Sequence, residues 1–439
     1  MTASVRKTFY LACLMILSMA ATIIPALANE TAARPEVLEA LIAEAIANNM
    51  GLQAVRARVT ALKTEIPSAG ALDDPMLGLA LANVPTDTFD FDQEPMTQKQ
   101  IFVSQKIPWF GKRGLKGHVA ELKAERESAV LELQKQELTR RVSEMFYRLW
   151  YLDRALDNNR RLKEMLEQVL EVTRTGYTSG RAQEKDLIQA QLEISQLEDK
   201  RIVLEAERRS VDKDMNGLLN RVVFQSIKPP GQLAETAPVI DIDINALKRT
   251  LTDNNPQIRI KRIELQMAEN ESALADKNFW PDSEWRLTYG QRDDIKGQEM
   301  ADFLSASVMF NVPLWQGRKQ TPIRDARKEM TGSARLALDN LLSTLPYELE
   351  AVSGEMADLV KNYRFYKEVM INQAADLARS SMSSYQVGKL AFDIMIRAQI
   401  RRLDVELKAD RYLQMIYTKM ARIDELLANP ITDSIGTKE

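Results

Sequence analysis

Ser104-Gln105-Lys106-Ile107-Pro108-Trp109-Phe110-Gly111-Lys112-Arg113 is where this chain changes its period. Up to Ile107 the residues alternate, with Ile101, Val103 and Ile107 on one side, as in a β-strand. Pro108 cannot donate to a ladder and ends the strand. Beyond Gly111 the apolar residues fall into heptads, Leu138, Val142, Met145, Leu149, Leu152 and Leu156, and no proline interrupts 113–175. At 1.5 Å per residue that helix would reach roughly 90 Å, too long for a globular core and suited to a coiled coil. The corner then returns as Val312-Pro313-Leu314-Trp315-Gln316-Gly317-Arg318-Lys319. From Pro108 to Pro313 the offset is 205, from Asn49 to Asn255 it is 206, and from Tyr177 to Tyr385 and Ala190 to Ala398 it is 208. A near-constant offset along the chain marks a duplicated unit.

Working outward, 35–66 carries a helical stripe of Leu38, Leu41, Ile42, Ala45 and Ile46. Residues 76–84 alternate as a first strand, with Leu77, Leu79 and Leu81 on one face, and 98–107 form the second. The long helix stops at Thr175-Gly176-Tyr177-Thr178-Ser179-Gly180, and a second heptad run (Leu187, Ala190, Ile194, Leu197, Leu204, Val211, Met215, Leu218) returns antiparallel. The second half repeats this plan. Residues 244–277 are expected to be one helix, 284–290 and 302–312 strands, and 317 to about 383 a long helix that Pro346 is expected to kink. A tip follows at 385–388, then a returning helix through Leu403, Leu413 and Leu427. The expected domains are a first repeat over 29–228 with its helical hairpin at 113–221, a linker over 229–243, a second repeat over 244–428 with its hairpin at 317–428, and a tail over 429–439. The fold class is mainly α with a small β part.

The first 28 residues read as a signal peptide. Arg6 and Lys7 precede the apolar run 9–24, and Ala26-Leu27-Ala28 suits cleavage before Asn29. Cys13, the only cysteine, lies inside that run, so the mature chain is expected to carry no disulfide. The net charge of −3, with both signs interspersed, argues against nucleic acid as a partner. With a single histidine, His118, in the first turns of a long helix, no Ser-His-Asp or Cys-His pairing is expected. No glycine loop of Walker spacing precedes Gly111-Lys112, and most of the 19 Met sit at helix-core spacing, where thioethers fill space. The expectation is no enzyme, no cofactor and no metal site.

Four strands of membrane length, each with one apolar and one polar face, suit lipid outside and water inside. Trp109, Trp280, Trp285 and Trp315 gather at strand ends, where an aromatic belt would sit. Four strands cannot close a transmembrane barrel, so copies must pool theirs: two give eight, three give twelve, four give sixteen. The helices would continue the tube on the same axis.

The ten residues from Ser104 to Arg113, the two Tyr-x-x-Gly tips and the Ala-Gln after each tip make the chain resemble the TolC-like outer-membrane efflux proteins, over nearly the whole mature length. The Pro-Trp-x-Gly-Lys-Arg corner looks most like the heavy-metal branch, the CzcC- and CusC-like components. The resemblance implies a homotrimeric α/β barrel tube with a twelve-stranded barrel in outer-membrane lipid and a periplasmic helical tunnel. It implies the exit duct of a tripartite pump in a Gram-negative envelope, for metal ions or small toxic compounds. Its partners would be a periplasmic adaptor (a membrane fusion protein) and an inner-membrane transporter of the resistance-nodulation-division type. Gly176, Tyr177, Gly180, Tyr385, Gly388 and Leu390 become candidates for adaptor docking at the tips. Asp186, Asp393 and Arg397 become candidates for the periplasmic gate, although Arg397 stands where the family pattern suggests an acid. Pro108, Gly111, Pro313 and Gly317 mark the strand–helix corners. The alternatives are a periplasmic adaptor or structural coiled-coil protein bridging envelope components, and the duct of a protein secretion system. Adaptors usually have one helical hairpin where this chain has two.

Overall fold

The computed structural model describes residues 34–180, 183–230, 233 and 243–430. The signal peptide, Cys13, most of the linker and nearly all of the tail lie outside the described residues. The elements run α1 (Glu36–Asn48), α2 (Met50–Ala69), β1 (Met76–Ala82), β2 (Gln98–Ile107), α3 (Lys112–Thr178), α4 (Glu184–Leu218), α5 (Ile244–Asn254), α6 (Pro256–Lys277), β3 (Ser283–Gln291), β4 (Phe303–Phe310) and α7 (Gln320–Phe365). A π-helical turn (Tyr366–Met370), α8 (Ile371–Gln386) and α9 (Phe392–Leu427) complete the chain. The expected mainly-α class with a small antiparallel β part is what the chain adopts.

The strands form one antiparallel sheet in chain order, β1-β2-β3-β4. Register pairs Gly78 with Phe102, Val103 with Leu287 and Leu287 with Ala306, so the apolar residues of neighbouring strands share a face. The four helices that adjoin the strands, α2, α3, α6 and α7, pack side by side in the same order. Sheet and helices therefore continue one wall. α3 alone has 67 residues, an end-to-end length of about 100 Å.

The repeated asparagines correct the reading of 35–66 and 244–277 as single helices. The chain breaks at Asn49 and at Asn255, and each side chain caps the helix that follows. Asn49 accepts from Leu52 N–H at 3.0 Å, and Asn255 from Gln257 N–H at 2.8 Å and Ile258 N–H at 3.2 Å. Asn255 is buried and also donates from Nδ2 to Leu426 O at 2.8 Å, so α6 is seated on the end of α9. Asn220 ties the end of α4 to Asn48 O at 3.3 Å in the first repeat. Each long returning helix is thus continued by a shorter one toward the sheet.

Other bounds differ from expectation for local reasons. β1 ends at Ala82 rather than near 84, because Asn83 turns to a positive φ of 56° and donates to Met96 O. β4 spans Phe303–Phe310 rather than 302–312, and the second hairpin's helix starts at Gln320 rather than 317. Pro346 lies within α7 without ending it, and the irregularity falls instead at the π-turn 366–370. Three apolar clusters hold the helices. The largest joins α1 and α5 to the long helices through Leu38, Phe146, Leu149, Met215, Leu251 and Leu349. A second lies toward the tips (Leu166, Ala190, Met395, Ile396), and a third toward the sheet (Leu122, Ala129, Ile260, Ile263).

Candidate functional site

Three parts of the molecule are candidates for function: the two faces of the sheet, the corners that join it to the helices, and the tips at the far end.

On the sheet, Leu79, Leu287 and Leu304 are 81%, 53% and 71% exposed, and Leu77, Leu81, Val103, Trp285, Tyr289, Val308 and Phe310 share their open face. Water would not select such a face, and lipid would. The opposite face is more polar and mostly half-buried or buried on β1 to β3, but exposed on β4. The Phe102 ring lies across Gly78 so closely that a Cβ there would meet Phe102 Cζ at 2.2 Å. The Arg286 guanidinium stacks on the same ring, 4.6 Å from its centre, and reaches Glu284 at 3.3 Å. The sequence reading assigned Arg and Glu to this face and missed Phe102. The available signal was Gly78 directly across the ladder.

The corners are unequal. At the first, Gly111 adopts a φ of 86° and caps α3. This conformation costs a side-chain-bearing residue roughly 1–2 kcal/mol, which glycine avoids. Pro108 ends β2, and the next N–H, that of Trp109, donates to Asp282 Oδ1 at 2.7 Å. The buried Lys112 ammonium donates to the same oxygen at 2.8 Å and to Trp280 O at 3.3 Å. Burial pushes the Asp282 carboxyl up, but Lys112 and the Trp109 N–H more than offset it and hold it below its ordinary range. Trp109 stacks on Trp280, with centres 5.1 Å apart. The second corner has no such lock. β4 ends at Phe310, short of Pro313, and Gly317 stands in open space without a positive φ. Arg318 and Lys319 donate their N–H groups to Trp315 O, both at 3.0 Å.

At the tips, Gly180 and Gly388 share a φ of 73°, and their N–H groups donate to Tyr177 O and Tyr385 O, both at 2.9 Å. The duplication is reproduced here down to the turn. Both glycines do structural work by ending helices. Gly176 lies inside α3. The two tyrosines part company: Tyr177 is exposed, whereas Tyr385 sets its ring edge-on to Phe392 at 5.6 Å and joins the tip cluster with Leu390. Val387, at 67% exposure, is the tip side chain that sequence reasoning missed, and it lay inside the quoted Tyr-x-x-Gly motif.

The gate candidates are engaged locally. Asp186 is the third residue of a capping box, accepting from Gln183 N–H at 3.4 Å. Arg397 pairs with Asp393 one turn back along α9. The two charges therefore compensate within one helix rather than presenting a lone cation. Ala190 and Ala398 are both buried, but only Gln399 is buried beside its alanine, donating to Ala378 O at 2.9 Å. Among the described residues no group of three or more His, Cys, Asp or Glu is placed to hold a metal, and no helix is long and apolar enough to cross a membrane.

With this geometry in hand, comparison with known proteins is informative. Residues 41–219 match the model of the outer membrane efflux protein family. No curated protein sequence matches the chain. Solved structures share the fold across nearly its whole length. The outer-membrane channel OprN superposes with a TM-score of 0.76 at 14% identity, covering 91% of both chains. CusC, solved in a study of folding and transmembrane channel formation, gives 0.75 at 11% identity, covering 91% of this chain and 94% of its own. VceC of Vibrio cholerae gives 0.73 at 14% identity, covering 89% and 96%.

Proposed function

We propose that this chain is a member of the TolC-like outer membrane efflux protein family and the passive exit duct of a tripartite efflux system. Its sheet stands in the outer membrane and its helices reach into the periplasm. The observation that carries this reading is an exposed apolar sheet face continued by helices of about 100 Å on one wall. Three copies would pool twelve strands and close the barrel that four strands cannot.

The adaptor docks at the tips, through the exposed side chains Tyr177 and Val387 and the backbone around Gly176, Gly180 and Gly388, with Tyr385 and Leu390 supporting the turn from beneath. A transporter of the inner membrane supplies the energy. Asp186, Asp393 and Arg397 line the periplasmic mouth, where the Asp393–Arg397 pair leaves little net charge. The cargo class we favour is metal ions or small toxic compounds, on the resemblance of the Ile107-to-Arg113 corner to the heavy-metal branch. The two repeats, 29–228 and 244–428, each contribute one β-hairpin and one helical hairpin. The duct performs no chemistry on its cargo.

The test is to fractionate the envelope, extract with mild detergent and weigh the complex. A heat-modifiable trimer from the outer membrane is expected; a soluble periplasmic monomer would sink the reading. Tyr177→Ala with Val387→Ala should then abolish efflux of metals and dyes and leave the trimer intact. Loss of the trimer in that variant would assign both residues to assembly.

A further inference from the structure

We propose that the strand–helix corners bind the headgroups of anionic phospholipids in the leaflet on the helical side of the sheet. This rests on the reading of the strands as spanning the outer membrane. Three independent features point to it.

The first is apolar. Phe110, Leu314 and Trp315 are 83%, 77% and 74% exposed, each within two residues of Pro108 or Pro313. Large amphipathic and aromatic side chains at strand ends sit at headgroup level in membrane barrels.

The second is charge without partners. Lys277, Arg318 and Lys319 make no ion pair within 4 Å among the described residues, and Lys116 makes none that close, although its charge acts on Asp282. Several cations along the long helices, by contrast, are paired. Arg126 pairs with Glu264 at 2.7 Å, Arg148 with Glu207 at 2.7 Å, Arg154 with Asp410 at 3.0 Å and Arg208 with Asp153 at 2.8 Å. Lys112 is excluded from the set because Asp282 already holds it. The free cations lie beside the exposed apolar residues. Lys277 Cε stands 3.7 Å from where a Cβ on Gly111 would be, next to Phe110. Arg318 and Lys319 are fixed one turn from Trp315 by their N–H bonds to its carbonyl.

The third is polarity along the strands. The loops at the far end of the sheet are acidic, with Asp87, Asp90, Asp92 and Glu94 in one and Asp293, Asp294 and Glu299 in the other. Arg292 and Lys296 offset only part of that acidity, whereas basic residues outnumber acidic ones at the helical end, Asp73 and Asp74 included. A phosphodiester whose headgroup carries no ammonium fits that charge; a zwitterionic headgroup brings a cation that the lysines repel. A basic side chain near an anionic membrane surface is worth about fivefold in affinity.

The experiment uses the full-length protein in mixed micelles. Tryptophan fluorescence, which includes Trp280 and Trp315 at the corners, is quenched with bromine-labelled phosphatidylglycerol or with bromine-labelled phosphatidylcholine of the same acyl chains. Half-quenching should need at least about fivefold less phosphatidylglycerol. The difference should shrink in about 0.5 M salt, where surface charges are screened. It should also shrink in the variant carrying Lys116→Gln, Lys277→Gln, Arg318→Gln and Lys319→Gln. Equal quenching by the two lipids at low salt overturns the proposal and leaves the duct intact. A preference that survives both salt and the substitutions overturns it as well. If the substituted protein does not fold, the salt dependence of the unaltered protein decides. Absence of quenching by either lipid removes the spanning sheet itself, and this inference falls with it.

Discussion

Leu287→Arg puts the spanning sheet to its hardest test. Leu287 is the fifth of the nine residues of β3, with Val103 and Ala306 beside it in the ladder and its own side chain 53% exposed. At about 3.3 Å per residue and a tilt of about 45°, four residues on either side place it about 9 Å along the membrane normal from each strand end. That is the middle of an apolar band about 25 Å tall. Arginine at that depth costs about 2–4 kcal/mol. The proposed homotrimer carries the change three times, so the loss reaches about 6–12 kcal/mol, as large as the whole stability of an ordinary domain. The next residue faces the other way. Thr288 lies opposite Phe102 on the polar side, and Thr288→Arg should stay within about 1 kcal/mol. The assay is the yield of heat-modifiable oligomer in the outer-membrane fraction, paired with refolding of urea-unfolded protein into lipid vesicles. Leu287→Arg should abolish both signals and Thr288→Arg should retain both. Equal yields from the two variants would refute the assignment of lipid and water to the two faces.

Four further outcomes are expected. Asp282→Ala removes the shared partner of the buried Lys112 and the Trp109 N–H, and should lower stability by about 2–3 kcal/mol, read from a denaturant midpoint at unchanged slope. Asn49→Ala should cost about 1 kcal/mol as a lost cap, and Asn255→Ala more, because Asn255 is buried and also holds Leu426 O; thermal unfolding of the two variants ranks them. The Arg221 guanidinium hydrogen-bonds Glu44 at 2.6 Å through two nitrogens and holds its carboxyl below the ordinary value of 4.5. A lowered folded value means that the stabilisation is fully present above pH 4.5 and is lost as pH falls from there through the folded value, so Glu44→Gln should flatten the acid limb of stability against pH. Phe146→Ala, at a fully buried position of the largest cluster, should cost about 3–5 kcal/mol by the same denaturant measurement.

Periodicity made much of this fold legible. The switch from alternation to heptads at Pro108 locates the wall's strand and its longest helix, and the constant offset carries the plan to the second half. What periodicity could not show were features settled by single side chains. Asn49 and Asn255 fall within helical stretches; at the second break Pro256 was the available signal of a new helix, and at the first only the Asn49 hydrogen bond marks it. The π-turn at Tyr366 has no residue type that announces it; Pro346 drew the prediction because proline disrupts helices more often than it is absorbed. At the tips the two Tyr-x-x-Gly motifs look alike, yet Phe392 is present to receive Tyr385, and among the described residues no equivalent ring receives Tyr177. A repeat in sequence fixes the turn at both tips, and the neighbour across the hairpin decides which side chain remains free.

The edges of the sheet carry the case for assembly. β1 reads Met-Leu-Gly-Leu-Ala-Leu-Ala and β4 reads Phe-Leu-Ser-Ala-Ser-Val-Met-Phe, with no charged residue and no proline in either. The inner strands hold all the charges, Lys99 and Lys106 in β2 and Glu284 and Arg286 in β3. A soluble protein arranges this the other way, placing lysine, proline or a bulge on its edges to prevent pairing. Here both edges are long, apolar and unprotected, and each leaves about half of its backbone groups without a partner in the sheet. In hydrocarbon every such group costs several kcal/mol, so a single copy in lipid is untenable. Pairing β4 of one copy with β1 of the next removes both edges at once and keeps the apolar residues on one side. The absence of edge defences is then a requirement of the assembly, and adding one tests it. Leu79→Lys and Ser305→Pro should each block oligomer formation. Ser305→Pro is the cleaner test, because Ser305 lies on the polar face and its loss to proline removes backbone pairing without placing a charge in lipid.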